Sequence, residues 1–204
     1  MTVAAVILAA GASSRFGRNK LLLPFGGQCV IQRTVSNVLA SAVTRVVVVT
    51  GHDAGAIAEA LADAAAPRVL RVLNADYQDG EMLSSIKVGL HALEPTDARA
   101  ALIVPGDQPL LRPELIDRLL LAYTQRCGAI IAPRFEGQRG HPVLFDRSVW
   151  DEILALPSDG NPRDVLRAHQ HDLAHIAVSD DSILVDVDTP EAYRTARLRA
   201  GLPD

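Results

Sequence analysis

The sequence predicts an α/β fold in one domain, with a largely parallel central sheet and helices on both of its faces. Short runs rich in Val, Ile and Leu alternate along the chain with longer segments of helical periodicity. The central runs are apolar throughout, as expected of strands that are covered on both faces. With 204 residues, 49% of them hydrophobic, the chain can bury one good core. Together these observations indicate a Rossmann-like arrangement.

The individual elements follow in order from the same patterns. The apolar runs predict strands at 3–9, 44–50, 68–73, 100–106, 128–133, 142–145, 173–178 and 182–188. The periodic segments between them predict helices at 30–40, 54–65, 82–93, 113–126, 148–156, 163–170 and 190–199. Helix starts are marked at Pro113 and at Thr189-Pro190, each of which precedes a glutamate. The segment 133–182 breaks the strict alternation, so we expect it to hold an insertion or lid over one edge of the sheet.

Composition excludes several classes of protein. The formal net charge of −4 offers no basic field for a nucleic-acid backbone. The two cysteines, Cys29 and Cys127, are far apart in small or apolar surroundings, which argues against a disulfide framework or a cysteine metal site. No apolar run reaches the roughly 20 residues that span a bilayer, and the N-terminal run lacks the preceding positive charge of a signal peptide. We therefore expect a cytoplasmic protein that binds neither nucleic acid nor membrane.

Ligands of such folds bind beyond the carboxyl ends of the strands, so the loop after the first strand is the first candidate. It lies within LAAGASSRFGRNK, residues 8–20. Its glycines and serines can direct backbone N–H groups at phosphate oxygens, and Arg15, Arg18 and Lys20 add positive charge. The loop is not a Walker A sequence, because Leu21 follows the lysine, nor a G-x-G-x-x-G fingerprint, because position 13 is Ser. The alternative is a solvated surface loop, which needs no such cluster of cations.

Two further loops carry aspartates. Asp107 follows the apolar run ALIVPG, where a carboxylate can hold Mg²⁺ against substrate phosphates; it could also be a simple turn residue in the Pro-Gly-Asp corner. Asp186 and Asp188 are two residues apart on an apparent strand, which would direct both to one face. The alternative for Asp188 is that it merely precedes a helix capped by Thr189.

These three loops resemble the motifs of a known family. LAAGASSRFGRNKLLLPFGG is similar to the L-A-[AG]-G-x-[SG]-x-R-[FM]-G-x-x-K signature of nucleotidyltransferases, and more narrowly to the molybdenum cofactor group with its guanylyl- and cytidylyltransferases. PGDQP and DVDTPEAY resemble the metal motifs of that family. The resemblance implies a fold of the nucleotide-diphospho-sugar transferase type. It also implies Mg²⁺ held by Asp107 and Asp188, with Asp186 as a supporting candidate.

The resemblance also assigns residues to the substrates. It implies that Arg15 and Lys20 contact the phosphates of a nucleoside triphosphate and act in catalysis together with the two metal aspartates. GEMLSSIKVGL and GQRGHPVLF resemble two further family elements. The implied nucleotide-binding residues are Leu8, Ala9, Ala10, Gly11, Ala12, Ser13, Ser14, Arg15, Lys20, Ser85 and Asp107. The implied acceptor-binding residues are His141 and, by a looser match around Gly160, Arg163.

The reaction implied by the resemblance is nucleotidyl transfer. A terminal phosphate of the acceptor attacks the α-phosphorus of the nucleotide, and pyrophosphate leaves. Ala10 matches the L-A-A-G form typical of cytidylyl enzymes rather than L-A-G-G, which favours CTP, with Mo-molybdopterin as acceptor and a molybdoenzyme as a possible partner. One alternative keeps this chemistry on a sugar or alcohol phosphate. The other is a non-catalytic nucleotide-binding protein of molybdoenzyme maturation, against which the presence of Lys20, Asp107 and Asp188 argues.

Overall fold

The computed structural model describes residues 2–12, 16–63, 67–78 and 81–203. Within these residues the chain builds one eight-stranded sheet in the order β10-β7-β9-β6-β1-β4-β5, with β8 paired to β7. Central β1 pairs in parallel with β4 and with β6, and only β9 and β8 run against their neighbours in this described sheet. The strands are β1 (Val3–Ala9), β4 (Arg45–Thr50), β5 (Val69–Leu73), β6 (Ala100–Pro105), β7 (Ile130–Phe135), β8 (Gln138–Arg139), β9 (Val143–Asp146) and β10 (Leu173–Ala177), while β2 (Pro24–Phe25) and β3 (Gln28–Cys29) form a separate hairpin. The largely parallel sheet is confirmed.

Helices cover both faces of this sheet, as predicted. Alternate residues of β1 enter two different hydrophobic clusters: Ile7 packs with α1 and α4, and Val6 packs with α3 and α5. The helices are α1 (Val30–Leu39), α2 (Ala54–Ala60), α3 (Glu81–Leu93), α4 (Pro113–Thr124), α5 (Trp150–Ala155), α6 (Pro162–Ala168) and α7 (Pro190–Arg199). Short 3-10 turns occupy Lys20–Leu22, Arg147–Val149 and Asp181–Leu184. None of the helices among the described residues has the length and apolar character needed to cross a membrane.

The helix starts read from the sequence are confirmed. Pro113 is the first residue of α4, where its missing N–H costs nothing. Thr189 caps α7, because its side chain accepts a hydrogen bond from the Ala192 N–H at 3.1 Å. Asp188 therefore lies immediately before a capped helix and has its backbone direction set by that cap. Both cysteines are free, as expected.

The predicted strand at 182–188 is wrong. The structure has a 3-10 turn at Asp181–Leu184, followed by extended backbone that joins no sheet. The alternation of apolar residues in this segment comes from packing across the ends of other strands, since Ile183 and Val187 are both buried in the core. Its backbone is held by separate cross-links rather than by a ladder: the His141 N–H donates to the Ile183 carbonyl at 3.1 Å, and the Val187 N–H donates to the Asp107 carbonyl at 3.1 Å.

The segment 133–182 lies largely within the sheet. It contains the end of β7, strands β8, β9 and β10, and helices α5 and α6. Strand β9 inserts between β6 and β7 and runs antiparallel to both. This one reversed strand explains why the strict alternation of strands and helices breaks here.

Candidate functional site

The candidate site lies where β1 and β6 end side by side. The Gly106 N–H donates to the Leu8 carbonyl at 2.9 Å, which ties the start of the 106–109 loop to β1. A Cβ atom at position 106 would lie 2.6 Å from that carbonyl oxygen, so the close approach of the two strand ends requires glycine. Asp107 therefore leaves the sheet directly beside the loop that follows β1.

Lys20 is brought to Asp107 by a capped turn. The Asn19 side chain accepts a hydrogen bond from the Leu21 N–H at 3.0 Å and donates one to the Asp53 carboxylate at 3.3 Å. This arrangement begins the 3-10 turn at Lys20 and directs its side chain across the ends of the strands. The Lys20 ammonium hydrogen-bonds Asp107, and it also lies 2.6 Å from the Asp188 Oδ1 atom.

Two carboxylates thus converge on one cation. The Lys20 side chain is 17% exposed, so it is only partly hydrated between Asp107 and Asp188. Burial by itself would lower the pKa of Lys20, but the negative charges and hydrogen bonds of Asp107 and Asp188 outweigh it and raise the pKa. The lysine is therefore held in its charged form at a position built to accept a cation.

Asp186 and Asp188 take separate partners. Because no strand forms here, the expectation that both aspartates share one face of a strand is wrong. Gln108 donates a hydrogen bond to the Asp186 Oδ1 atom at 2.7 Å, whereas Asp188 contacts Lys20. Burial, together with the negative charge of Asp107 and Asp188, raises the pKa of Asp186 to about 6. Asp186 thus belongs to the acidic cluster through charge, but it is bonded to Gln108 rather than to the lysine.

A first cavity of about 290 Å³ opens beside Lys20 and Asp107. Its lining residues are Leu8, Ala10, Gly11, Lys20, Leu21, Tyr77, Met82, Ser85, Pro105 and Asp107. Six of the residues expected to bind nucleotide are among them. Ala9 is instead buried in the core, and Ala12 is exposed but does not line this cavity. Ser13, Ser14 and Arg15 lie outside the described residues.

The walls of the first cavity are tightly packed at two points. The Ala10 methyl group is nearly buried, and a Cβ atom at Gly51 would lie 2.8 Å from it and 2.7 Å from the Cβ of Tyr77. Ala10 therefore closes the wall next to Tyr77. On α3, the buried Ser85 hydroxyl oxygen accepts a hydrogen bond from the Asn74 amide at 3.0 Å, which fixes its position in the cavity wall.

A second cavity of about 350 Å³ adjoins the first through Met82, which lines both. His141 and Arg163, the two residues expected to bind the acceptor, both line it, together with Arg139 and Asp186. Burial and the charge of Arg139, with a smaller contribution from Arg163, lower the pKa of His141 to about 4 against the opposing charge of Asp107. Its buried Nδ1 atom has no hydrogen-bond partner among the described residues. His141 is therefore a neutral ring with one unused polar atom in the wall.

Sequence reasoning missed several residues of the two cavities. Tyr77 lies in a segment that no motif singled out. Met82 stands inside the quoted GEMLSSIKVGL element, but its place in the wall depends on how α3 packs on the sheet. Arg139 stands inside the quoted GQRGHPVLF element, and its charge could have identified it beside His141. Gln108 follows Asp107, but nothing in the sequence shows that its amide reaches Asp186.

Comparisons with known proteins agree with this arrangement. The family model described as the MobA-like NTP transferase domain matches residues 5–173. A molybdenum cofactor cytidylyltransferase of Escherichia coli is 27% identical over 95% of both chains. A molybdenum cofactor guanylyltransferase of Xanthomonas euvesicatoria is 29% identical over 92% of this chain and 90% of that protein.

Two further matches widen the range. A protein named nicotine blue oxidoreductase, from Paenarthrobacter nicotinovorans, is 32% identical over 93% of both chains, although its name describes another reaction. Among solved structures, the Rv0371c protein of Mycobacterium tuberculosis H37Rv in complex with manganese superimposes with a TM-score of 0.80. It is 26% identical, and the match covers 98% of this chain and 100% of that one.

Proposed function

This chain belongs to the MobA-like NTP transferase family, and on that premise we propose that it transfers CMP from CTP to the terminal phosphate of Mo-molybdopterin and releases pyrophosphate. Nucleotidyl transfer itself follows from the family and from its named relatives. Beyond this, we propose the choice of CTP, the acceptor, Mg²⁺ and the roles of the individual site residues.

One observation carries the assignment of the reaction centre. Asp107 and Asp188 come from loops 81 positions apart in sequence, yet both contact the Lys20 ammonium beside the first cavity. Bringing two carboxylates together costs free energy, because their negative charges repel each other. A surface loop does not need this arrangement, whereas a site that binds a metal ion and a polyphosphate needs it.

The donor set fits Mg²⁺. Carboxylate oxygens are the ligands that Mg²⁺ prefers, and one or two of them with phosphate oxygens and water are its usual shell in such sites. Among the described residues no group of three or more His, Cys, Asp or Glu is arranged to hold a metal, so the remaining ligands would come from substrate and water. A related structure that contains manganese supports a divalent ion here. When bound, the ion would neutralise the charge that develops on the α-phosphate.

The residues of this chain then act mainly by position and charge. Lys20 would turn from the carboxylates to the phosphates of CTP, and Arg15 would add a second positive charge to the departing pyrophosphate. An oxygen of the acceptor phosphate forms the new bond to the α-phosphorus as the bond to pyrophosphate breaks. A phosphate monoester is already an anion near neutral pH, so the attack needs no protein base. The neutral, buried His141 accordingly serves to position the acceptor.

Base selection is proposed to depend on the wall of the first cavity. The Ala10 methyl group packs beside Tyr77 and limits the space that a larger purine would occupy. Backbone groups of residues 8–14 and the Ser85 hydroxyl would line the bound nucleotide. The second cavity, with His141 and Arg163, would hold the acceptor, and the 133–182 segment would act as the acceptor-side part of the domain.

The first experiment screens pyrophosphate release with the four nucleoside triphosphates against Mo-molybdopterin and a panel of sugar and alcohol phosphates. We expect release with CTP and Mo-molybdopterin. Release with a sugar or alcohol phosphate alone would move the acceptor to the first alternative, and nucleotide binding without release would favour the non-catalytic one. Reduction of nicotine blue, measured in parallel because one relative is named for an oxidoreductase activity, would contradict nucleotidyl transfer if it were the sole activity.

The second experiment tests the reaction centre by single substitutions. Asp107→Ala and Asp188→Ala should each lower kcat by about 10²–10³-fold or more, because each removes charge stabilisation at the reacting phosphates. The Asp188 side chain is 50% exposed, so Asp188→Ala should change the melting temperature little, whereas the Asp107 side chain is only 12% exposed and its loss should lower the melting temperature more. Glu191→Gln, which removes a negative charge three residues after Asp188 in the first turn of α7, is the matched control and should keep near-normal turnover. Normal turnover in either aspartate variant would refute its assignment.

A further inference from the structure

The second cavity has an acidic side and a cationic side. Asp186 belongs to the acidic side, since it lines this cavity and its carboxylate accepts a hydrogen bond at 2.7 Å from Gln108, the residue after Asp107. Arg139 and Arg163 belong to the cationic side, since both line this cavity and neither lines the first one. His141 lines the same cavity, where the charges of Asp107 and of both arginines act on its pKa. A molecule in this cavity therefore meets opposite charges at its two ends.

Arg139 and Arg163 lack partners of opposite charge. Among the described residues no carboxylate forms an ion pair with either guanidinium, whereas the neighbouring Arg167 lies 2.8 Å from the Asp164 carboxylate. Two adjacent unpaired cations repel each other, which costs stability in the empty protein. An anion placed between them would remove that cost.

The backbone beneath both arginines is held firmly. Arg139 pairs with Arg134 across the β7–β8 ladder, and at the next residue, Gly140, an added Cβ would lie 2.3 Å from the Ile183 carbonyl oxygen. Arg163 lies in the first turn of α6, where its N–H donates to the Asn161 side chain at 2.9 Å. The two side chains thus extend from fixed positions, so an anion would be bound at a defined place.

We propose that Arg139 and Arg163 form a subsite for a second acidic group of the acceptor, separate from the phosphate that reacts. The inference rests on the proposed function, which places the acceptor in the second cavity with its reacting phosphate near Asp107 and Asp188. Lys20 and Asp107 line the first cavity, whereas Arg139 and Arg163 line only the second, so the arginines are left for another group of the acceptor. The acceptor class is therefore an anion with two separated acidic groups.

The body of the acceptor between these groups is apolar or aromatic. The floor of the second cavity is made of side chains without charge, among them Ile103, Val143, Phe145 and Leu166. A polyhydroxylated sugar would leave its hydroxyl groups unpaired against this floor, at a cost in affinity. A flat heterocycle or aromatic ring would bury its faces there.

The test uses two small probes that differ by one acidic group. Binding of phenyl phosphate and of 4-carboxyphenyl phosphate, with its longer 4-carboxymethyl homologue, is measured by calorimetry in the wild type and in Arg139→Gln, Arg163→Gln and Arg167→Gln. We expect the wild type to bind at least one carboxylated probe about tenfold or more tightly than phenyl phosphate. Arg139→Gln and Arg163→Gln should each remove most of that difference. Arg167→Gln, a control with the same charge change on the same helix, should keep it.

Two results would overturn the subsite. The wild type could bind all probes equally, or the two variants could weaken binding of phenyl phosphate as much as binding of the carboxylated probes, which would assign the arginines to the reacting phosphate. Because the binding assay needs no turnover, it tests the subsite separately from the proposed function. Discrimination by the arginines without pyrophosphate release from any substrate pair would leave the subsite standing and refute the proposed function.

Thermal unfolding gives an independent readout. At low ionic strength, Arg139→Gln should raise the melting temperature by about 1–2 °C, because it removes an uncompensated like charge. A lower melting temperature would show that Arg139 is held by structural contacts and would contradict its role as an open cation.

Discussion

Lys20 bridges the two carboxylates of the site. Its ammonium stands between Asp107 and Asp188, so it balances charges that would otherwise repel each other. The same side chain would have to leave this position for the phosphates of a nucleotide. A single lysine therefore serves two roles, one in the stability of the empty protein and one in the proposed reaction.

Replacing Lys20 should leave the repulsion between Asp107 and Asp188 without a compensating positive charge. Lys20→Met should lower the free energy of unfolding by about 1–2 kcal/mol, less than for a fully buried pair because Asp188 is half exposed. Mn²⁺ should raise the free energy of unfolding of the variant more than that of the wild type, since a metal ion can then take the place of the Lys20 ammonium between Asp107 and Asp188. Thermal unfolding with and without Mn²⁺ measures both effects. A variant that is neither destabilised nor rescued by Mn²⁺ would refute this account of Lys20.

Ala10 is the second residue for which we predict the effect of a substitution, here on nucleotide preference. Ala10→Gly removes the methyl group that packs beside Tyr77, so the wall of the first cavity can yield to a larger base. One such contact discriminates by about 1–3 kcal/mol, so the substitution should relax the preference for CTP over GTP without inverting it. The measurement is kcat/KM for both nucleotides in wild type and variant. A wild type that already prefers GTP would contradict the choice of CTP while leaving nucleotidyl transfer intact.

At the scale of the elements, the segment 181–188 decides where the second carboxylate lies. Its apolar alternation, Ile183 and Val187 inward, is what a strand would show, and an extended segment packed across strand ends shows it equally. Periodicity reports which side chains are buried and not which backbone pairs with which. The helix caps and apolar strands, whose signals are local, could be read from the sequence. The route of this segment could not.

Gly140 offers a direct test of how that segment is held. Gly140→Ala would place a Cβ atom 2.3 Å from the Ile183 carbonyl oxygen, which is backbone and cannot turn away. The variant should lose about 1–3 kcal/mol of stability and should also lose turnover, because the displaced segment carries Asp186 and Asp188. Gly55→Ala in α2, where an added Cβ meets no atom within 4 Å, is the control and should be neutral or slightly stabilising. Equal stability and equal turnover of the two variants would contradict the close packing of Gly140 against the Ile183 carbonyl.

At the scale of the whole molecule, the order of strands had to come from the structure. The parallel core β4-β1-β6 follows from alternating strands and helices, but the reversed β9 between β6 and β7 depends on pairings between distant segments. The two cavities depend on the same pairings. The motifs could therefore name Asp107, Asp188 and Lys20, but they could not bring Tyr77 to the site or show that the Gln108 amide reaches Asp186.

The buried His141 should leave a signature in the pH dependence of stability. In the unfolded chain it takes up a proton near pH 6.5, whereas its pKa in the folded protein is about 4. The unfolded state thus binds more protons between these values, and stability present above pH 6.5 is lost as the pH falls towards 4, by about 2–3 kcal/mol.

His141→Gln removes that difference. Arg139, Arg163 and Asp107 act on His141, and Asp186 titrates nearby; all four remain in the variant, so their own contributions largely cancel in the comparison. Urea unfolding at pH 7 and at pH 4.5 should show a smaller acid loss in the variant than in the wild type. Parallel losses in both proteins would contradict a buried neutral histidine.

The contact between Lys20 and Asp188 joins residues 168 positions apart, and this separation has a consequence in time. During synthesis the strands from β1 to β10 precede Asp188, and domains acquire structure from the N-terminal side as the chain emerges. The sheet can therefore form while the Lys20 ammonium contacts Asp107 and Asp188 has not yet been synthesised. Only the arrival of α7, with Asp188 just ahead of its cap, completes the pair of carboxylates. A nascent chain gains its scaffold first and the second carboxylate of the proposed metal site last.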